Sequence, residues 1–152
     1  MLIPGLHPLI VHFPLALCIT GTLSLLAARL LPNDRHAAAA ATAGTWNLVA
    51  GAIVALLAIG SGIAAIIGLH AGAAAHMAIS MHVKWAMLSS MMMLLLAVWR
   101  GAGHAQDSRP SWLLLGLLML ACAAMAMTGY RGAVNVYHYG IGVYRGAAGG
   151  VG

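Results

Sequence analysis

The sequence contains very few charged residues. Asp, Glu, Lys and Arg make up 6% of its 152 positions, whereas an average soluble domain has about 25%. Hydrophobic residues account for 62%, and the mean hydropathy is +0.96. So few charged side chains cannot cover the apolar surface of a soluble fold of this length. The composition argues against a soluble enzyme and a disordered chain, and it indicates an integral membrane protein.

Acidic residues are the scarcest of the charged types. Glu is absent, and the two acids, Asp34 and Asp107, lie in polar loop sequence. Paired-carboxylate catalysis is disfavoured because it needs two acids at one site. The basic residues are scattered and form no patch, so nucleic-acid binding is disfavoured despite a pI of about 9.9.

Cysteine is also rare. The two cysteines, Cys18 and Cys122, lie inside apolar runs, where a thiol usually packs as a small hydrophobic side chain. We therefore expect neither a disulfide nor a metal site from them. No Ser-His-Asp set and no phosphate-binding loop is present either.

Four continuous apolar stretches are long enough to span a bilayer. Its core is about 30 Å thick, which about 20 helical residues can cross. The stretches cover residues 9–31, 46–69, 82–99 and 111–128. Continuous runs favour helices over a barrel, whose strands would alternate apolar and polar positions. The N-terminus lacks the basic segment of a secretory signal, so the first stretch is expected to remain as a span.

These stretches predict an all-α fold, a four-helix membrane bundle over residues 1–129 with a surface tail over 130–152. Within the tail, short alternation of Gly, Tyr and Val predicts an extended or hairpin-like segment at 134–143, on the outer face. The loops after spans one and three carry four basic residues, against three on the other side. The positive-inside rule then predicts a multi-pass protein of the bacterial inner membrane with both termini in the periplasm.

The histidines carry most of the functional information. The sequence has eight, and the predicted topology gathers six of them at one membrane face: His7, His12, His70, His76, His82 and His138. Ionisable groups at membrane depth are expensive and usually functional. We expect a binding site at this face, although a single histidine at a helix end often only caps the helix or contacts headgroups.

His12 and His82 begin two predicted spans at similar depths. Two imidazoles facing each other across a bundle can ligate a haem iron. His7 lies about 140° around the helix from His12, so His7 and His76 are the reserve ligand candidates. Arg131 can pair with a haem propionate, or its side chain can reach the headgroups.

Two alternatives to haem remain open. Six methionines lie in or just before the third span, and thioethers beside imidazoles suit copper(I). Methionine is also a common filler of apolar interiors. The second alternative is a cofactor-free structural anchor whose histidines contact headgroups or a neighbouring subunit.

Three motifs resemble a known family. The opening HPLIVHFP at residues 7–14, the segment HVKW at 82–85 and the closing VYHYGIGV at 136–143 are similar to the bacterial membrane proteins known as domain of unknown function 2231. The matched positions are His7, His12, His82, Gly140 and Gly142. The tail departs from the family pattern at Gly132-Ala133, where a Gly-Gly step is usual, and in lacking the acidic residue that often follows.

The resemblance implies a four-helix bundle. Domains of this type occur joined to, or encoded beside, c-type cytochrome and Rieske-type modules, which implies electron transfer at the outer membrane face. We therefore expect a non-catalytic redox subunit of an oxidoreductase complex, surrounded by lipid and other membrane subunits. It would hold a b-type haem and relay electrons between a periplasmic cytochrome c, or another redox protein, and quinone.

Overall fold

The computed structural model describes residues 3–67, 72–103 and 109–142. The described residues form five helices and no strand. They are α1 (Ile3–Ile10), α2 (His12–Leu30), α3 (Asp34–Ile66), α4 (Ala73–Gly103) and α5 (Trp112–Tyr137). Helices α1 and α2 together provide the first span, so the described chain has four candidate spans. The predicted all-α, four-span membrane bundle is confirmed.

A short irregularity at Val11 separates α1 from α2. Pro14 has no backbone N–H and so cannot donate to the carbonyl of Ile10, one turn earlier. The Val11 N–H still donates to the carbonyl of His7 at 3.2 Å, which keeps the two helices in one continuous span. This arrangement places His7 inside the bundle's first span.

The second span is longer than its apolar run. Helix α3 begins at Asp34, well before the predicted residue 46, because the intervening segment is rich in alanine, the strongest helix former. The side chain of Asn33 caps this helix by accepting from the His36 N–H at 3.2 Å. At about 1.5 Å per residue, α3 is about 50 Å long and extends beyond the hydrocarbon core.

Small residues allow α2 and α3 to pack closely. A Cβ added at Gly44 would lie 2.7 Å from Leu25 Cγ and 2.9 Å from the carbonyl oxygen of Gly21. The methyl group of Met93 fills the space beside Gly51. Such close approach of helix backbones is the usual packing mode inside a membrane. The core continues through α5, where Leu118 is fully buried.

The outer surface of the bundle is apolar. Large hydrophobic side chains are exposed along every span, including Leu23, Leu57, Leu95, Leu113 and Leu120. A surface of this kind is stable in lipid and would aggregate in water. The arrangement agrees with the membrane location predicted from composition.

Most of the described charged residues lie at the end of the bundle opposite His7. Arg100 is buried and its Nε donates to Thr45 Oγ1 at 3.1 Å. Arg109 forms an ion pair with Asp34 at 3.1 Å, and the Arg29 guanidinium lies 5.3 Å from the centre of the Trp112 ring.

The last helix does not end at residue 128. It continues to Tyr137, so the prediction of an extended segment is wrong for residues 134–137. Thr128, Gly132 and Asn135 recur at helical spacing, and this periodicity outweighs the alternation of Gly, Tyr and Val. Residues 138–142 form turns, with positive φ at Gly140 and Gly142. The rest of the predicted tail lies outside the described residues.

Candidate histidine site

Two of the predicted histidines converge at one end of the bundle. His7 comes from α1 and His82 from α4, and both side chains are half-buried. They lie close enough for their charges to repel each other if both rings were protonated. The first and third spans therefore each bring one imidazole to the same end of the bundle.

The ring of His82 is held by a backbone carbonyl. Its Nδ1 lies 3.1 Å from the carbonyl oxygen of Thr128 on α5. A carbonyl oxygen can only accept, so Nδ1 carries the proton and donates. The Nε2 atom then keeps its lone pair and is available to a ligand or metal.

The ring of His7 is held in a similar way by α3. Its Nδ1 lies 3.0 Å from Ser61 Oγ, and the Ser61 hydroxyl donates its own proton to the carbonyl of Ala58 at 2.9 Å. Ser61 Oγ is therefore the acceptor of the His7 Nδ1–H. The network assigns the same tautomer to both histidines, with each Nε2 unprotonated.

Glycines provide the space beside both rings. A Cβ added at Gly62 would lie 2.9 Å from Cε1 of His7, and one added at Gly132 would lie 3.2 Å from Cε1 of His82. Both distances are shorter than ordinary van der Waals contact. Each imidazole therefore lies against a helix backbone that only glycine leaves open.

Two buried polar atoms lie on α5 next to this site. The Nε of Arg131 and the Oδ1 of Asn135 have no hydrogen-bond partner among the described residues. These residues flank Gly132, which contacts His82. Leaving such an atom unpaired typically costs about 1–3 kcal/mol. A polar ligand at this place would satisfy them.

Comparison with known protein families identifies the family of this chain. Residues 4–145 match the family described as predicted membrane protein, DUF2231. The chain belongs to this family. The resemblance inferred from the three motifs is thus confirmed, and the match covers nearly the whole sequence. Neither the comparison with curated proteins nor that with solved structures gives a match.

The two histidines of the opening HPLIVHFP segment have different surroundings. His7 faces the bundle interior, whereas His12 is exposed and has no hydrogen-bond partner in the described part of the chain. The structure thus turns His7 inward, at the same end of the bundle as His82, and leaves His12 exposed. The angular offset of about 140° explains why both cannot face inward.

The remaining histidines of this face stand apart from the pair. His76 is exposed on α4, and His138 is exposed at the end of α5, with its ring edge-on to Tyr139 at 4.7 Å. His70 lies outside the described residues. Across residues 3–67, 72–103 and 109–142, no group of three or more His, Cys, Asp or Glu side chains could hold a metal ion.

The methionines of α4 do not share one direction. Met77, Met87 and Met91 are exposed, whereas Met93 is fully buried in the core. Their positions suit lipid contact and core packing.

The sequence signals for the supporting residues were weak. These residues belong to spans two and four, and small or polar residues of this kind are common in packed membrane helices. They are Ser61, Gly62, Thr128, Gly132 and Asn135. Only the tertiary contacts with His7 and His82 distinguish the first four from ordinary packing residues. Asn135 stands out because its buried Oδ1 has no hydrogen-bond partner among the described residues.

Proposed function

We propose that this DUF2231 protein is a membrane-embedded electron-transfer subunit that binds a b-type haem between His7 and His82. The observation that carries the proposal is the matched state of the two imidazoles. Each comes from a different span, and each has its Nδ1 hydrogen-bonded to a neighbouring helix, which leaves Nε2 as the unprotonated ring nitrogen. Two neutral imidazoles are a common axial ligand pair for haem iron.

The supporting hydrogen bonds suit a ligand role. A metal-binding histidine usually donates its other ring N–H to a carbonyl, carboxylate or water, which orients the ring and raises its basicity. Thr128 provides a carbonyl for His82, and Ser61 provides a hydroxyl oxygen for His7. Both rings are therefore oriented by neighbouring helices before any cofactor binds.

The unpaired polar atoms on α5 fit the periphery of such a cofactor. Haem carries propionate carboxylates, and an Arg N–H is a strong donor to a carboxylate. The Nε of Arg131 and the Oδ1 of Asn135 are buried and have no hydrogen-bond partner within residues 3–67, 72–103 and 109–142. Arg131 would hold a propionate at the membrane face, and Asn135 would accept from a polar group or water beside it.

The location of the pair supports electron relay. A bound haem supplies reversible one-electron transfer at the iron. The histidines lie near one end of the bundle, within reach of an aqueous redox protein such as a periplasmic cytochrome c and of quinone in the lipid. Burial and axial ligation by the two histidines would set the potential. The polypeptide itself performs no bond chemistry on a substrate in this role.

A difference spectrum of the purified protein tests the proposal. We expect the detergent-purified wild type to show the α band of a b-type cytochrome on reduction. His7→Ala and His82→Ala should each lose the haem, because each removes one of the two residues that would hold the iron. His76→Ala is the matched control, since His76 is an exposed histidine on the same helix as His82, and it should retain full occupancy.

Three results would overturn this assignment. Full haem occupancy in both the His7 and the His82 variants would remove them as ligands. Copper without haem in metal analysis of the same sample would instead support a metal-handling protein. A colourless, metal-free protein would favour a structural anchor. Far-ultraviolet circular dichroism of each variant checks that lost haem does not reflect lost helix.

A further inference from the structure

A pair of thiols lies inside the bundle, away from the histidine site. Cys18 on α2 and Cys122 on α5 are free cysteines, and their Sγ atoms are 3.3 Å apart. Thr22, one turn after Cys18, places its Oγ1 3.4 Å from the Sγ of Cys122. The first and last spans therefore share a three-residue polar contact inside the bundle.

The hydrogen bonds of this contact have a defined direction. The Thr22 hydroxyl donates to the carbonyl of Cys18 at 2.7 Å, so its oxygen is left to accept the S–H of Cys122. The sulfur of Cys122 is in turn the acceptor for the S–H of Cys18. Each proton of the group has a partner, and the two sulfur atoms are held facing each other.

The two thiols differ in access. Cys18 is fully buried, whereas Cys122 is half-buried at the edge of the core. Cys122 lies about 15 Å along α5 from Trp112, which is about half the thickness of the hydrocarbon core. An oxidant that reaches Cys122 must therefore be soluble in lipid.

We propose that Cys18 and Cys122 form a reversible dithiol–disulfide pair that is oxidised by a membrane quinone. This redox site is separate from the histidine site and does not depend on haem. A disulfide has an S–S distance of about 2.05 Å, so the sulfur atoms need to approach by about 1.2 Å from their present separation. Side-chain rotation can provide most of that movement.

The reaction balances with quinone as the oxidant. The two S–H bonds break and one S–S bond forms. Two electrons and two protons pass to the quinone, which leaves as hydroquinone. Cys122 passes the electrons to the quinone because it is the accessible thiol, and the S–S bond with Cys18 forms as they leave, so no sulfur–carbon bond to the quinone ring is needed. The Thr22 hydroxyl can rotate towards Cys122 and stabilise the thiolate as its proton leaves.

Thiol counting in lipid nanodiscs tests the proposal. The probe is tetramethyl-benzoquinone, whose substituted ring resists addition of a thiol. After incubation, the protein is denatured and labelled with a maleimide polymer that shifts its mobility on a gel. We expect two labels per chain before oxidation and none after it, with labelling restored by a reducing agent. Peptide mass spectrometry should find the Cys18 peptide joined to the Cys122 peptide.

A matched pair of threonine variants tests the role of the hydroxyl. Thr22→Val removes the group beside Cys122, and we expect oxidation to slow by roughly fivefold, the equivalent of one ordinary hydrogen bond. Thr20→Val is the control on the same helix. The Thr20 side chain is exposed and donates only to backbone carbonyls of that helix, so the thiols of this variant should oxidise at the wild-type rate.

Specific outcomes would overturn the proposal. Two free thiols after prolonged exposure to the quinone would show that the pair is only a packing contact. Disulfides between chains, in place of the link within one chain, would also contradict it. Glutathione disulfide is charged and water-soluble. If it oxidised the thiols as fast as the quinone does, the inference that the oxidant reaches Cys122 from the lipid would be refuted. Cys18→Ser should bind one maleimide label per chain under every condition, because only Cys122 remains. This variant checks the thiol count.

Discussion

Replacing Gly44 with alanine should destabilise the bundle by forcing α2 and α3 apart. The new Cβ would lie 2.7 Å from Leu25 Cγ, 2.9 Å from the Gly21 carbonyl oxygen and 3.0 Å from the Leu25 nitrogen. Two of these three atoms belong to the backbone of α2, so side-chain rotation cannot relieve the overlap. Overpacking of this kind costs about 1–3 kcal/mol.

Gly60→Ala is the matched control for this prediction. Gly60 lies on the same helix, and a Cβ there would meet nothing within 4 Å. The intrinsic preference of a helix for Ala over Gly, about 1 kcal/mol, applies at both positions and cancels in the comparison. We therefore expect Gly44→Ala to be less stable than Gly60→Ala by about 1–3 kcal/mol.

The assay is reversible unfolding in mixed micelles, with the fraction of a denaturing detergent increased stepwise and helix content followed by circular dichroism. Two-state transitions with equal slopes allow the free energies of unfolding to be compared. Equal stability of the two variants would refute the close backbone crossing of α2 and α3. A Gly44→Ala variant more stable than Gly60→Ala would contradict this close crossing even more strongly.

Two further predictions use the same titration. Thr45→Val removes an acceptor from the Nε of the buried Arg100 and should lower the free energy of unfolding by about 1–3 kcal/mol. Thr42→Val is the control, and its free energy of unfolding should stay within about 0.5 kcal/mol of wild type, because Thr42 is exposed and bonds only to its own helix. Equal losses of stability in the two variants would contradict the role of Thr45. Ser111→Ala removes the side chain that caps α5 through the Leu114 N–H and should cost about 1 kcal/mol, whereas Ser111→Asp should preserve the cap.

The histidine pair and the thiol pair place two kinds of redox-capable side chain in one small bundle. The imidazoles lie near one end of the bundle, where the first span begins at His7. The thiols lie further along the spans, between α2 and α5. Because the four side chains themselves come from four different helices, α1, α4, α2 and α5, variants at one pair should leave the other intact. Haem binding by Cys18→Ser and quinone-driven thiol loss in His82→Ala would each be expected to remain at wild-type levels.

Composition and span length determined the membrane class and the number of spans. Lipid requires continuous apolar helices, so these properties follow from local sequence. The local pattern did not determine where the last helix ends. The alternation after residue 129 resembles a strand, but α5 runs to Tyr137 because helical spacing brings Thr128 and Gly132 to His82.

Only the tertiary structure decided which histidines meet. From the sequence, His7 and His12 are both plausible partners for His82, because they lie on different faces of one span and either face could point inward. Packing of α1 against α3 turns His7 towards Ser61 and leaves His12 exposed. The same holds for Cys18 and Cys122, which are 104 residues apart in the chain. Their contact depends on how α2 packs against α5, and no local pattern encodes it.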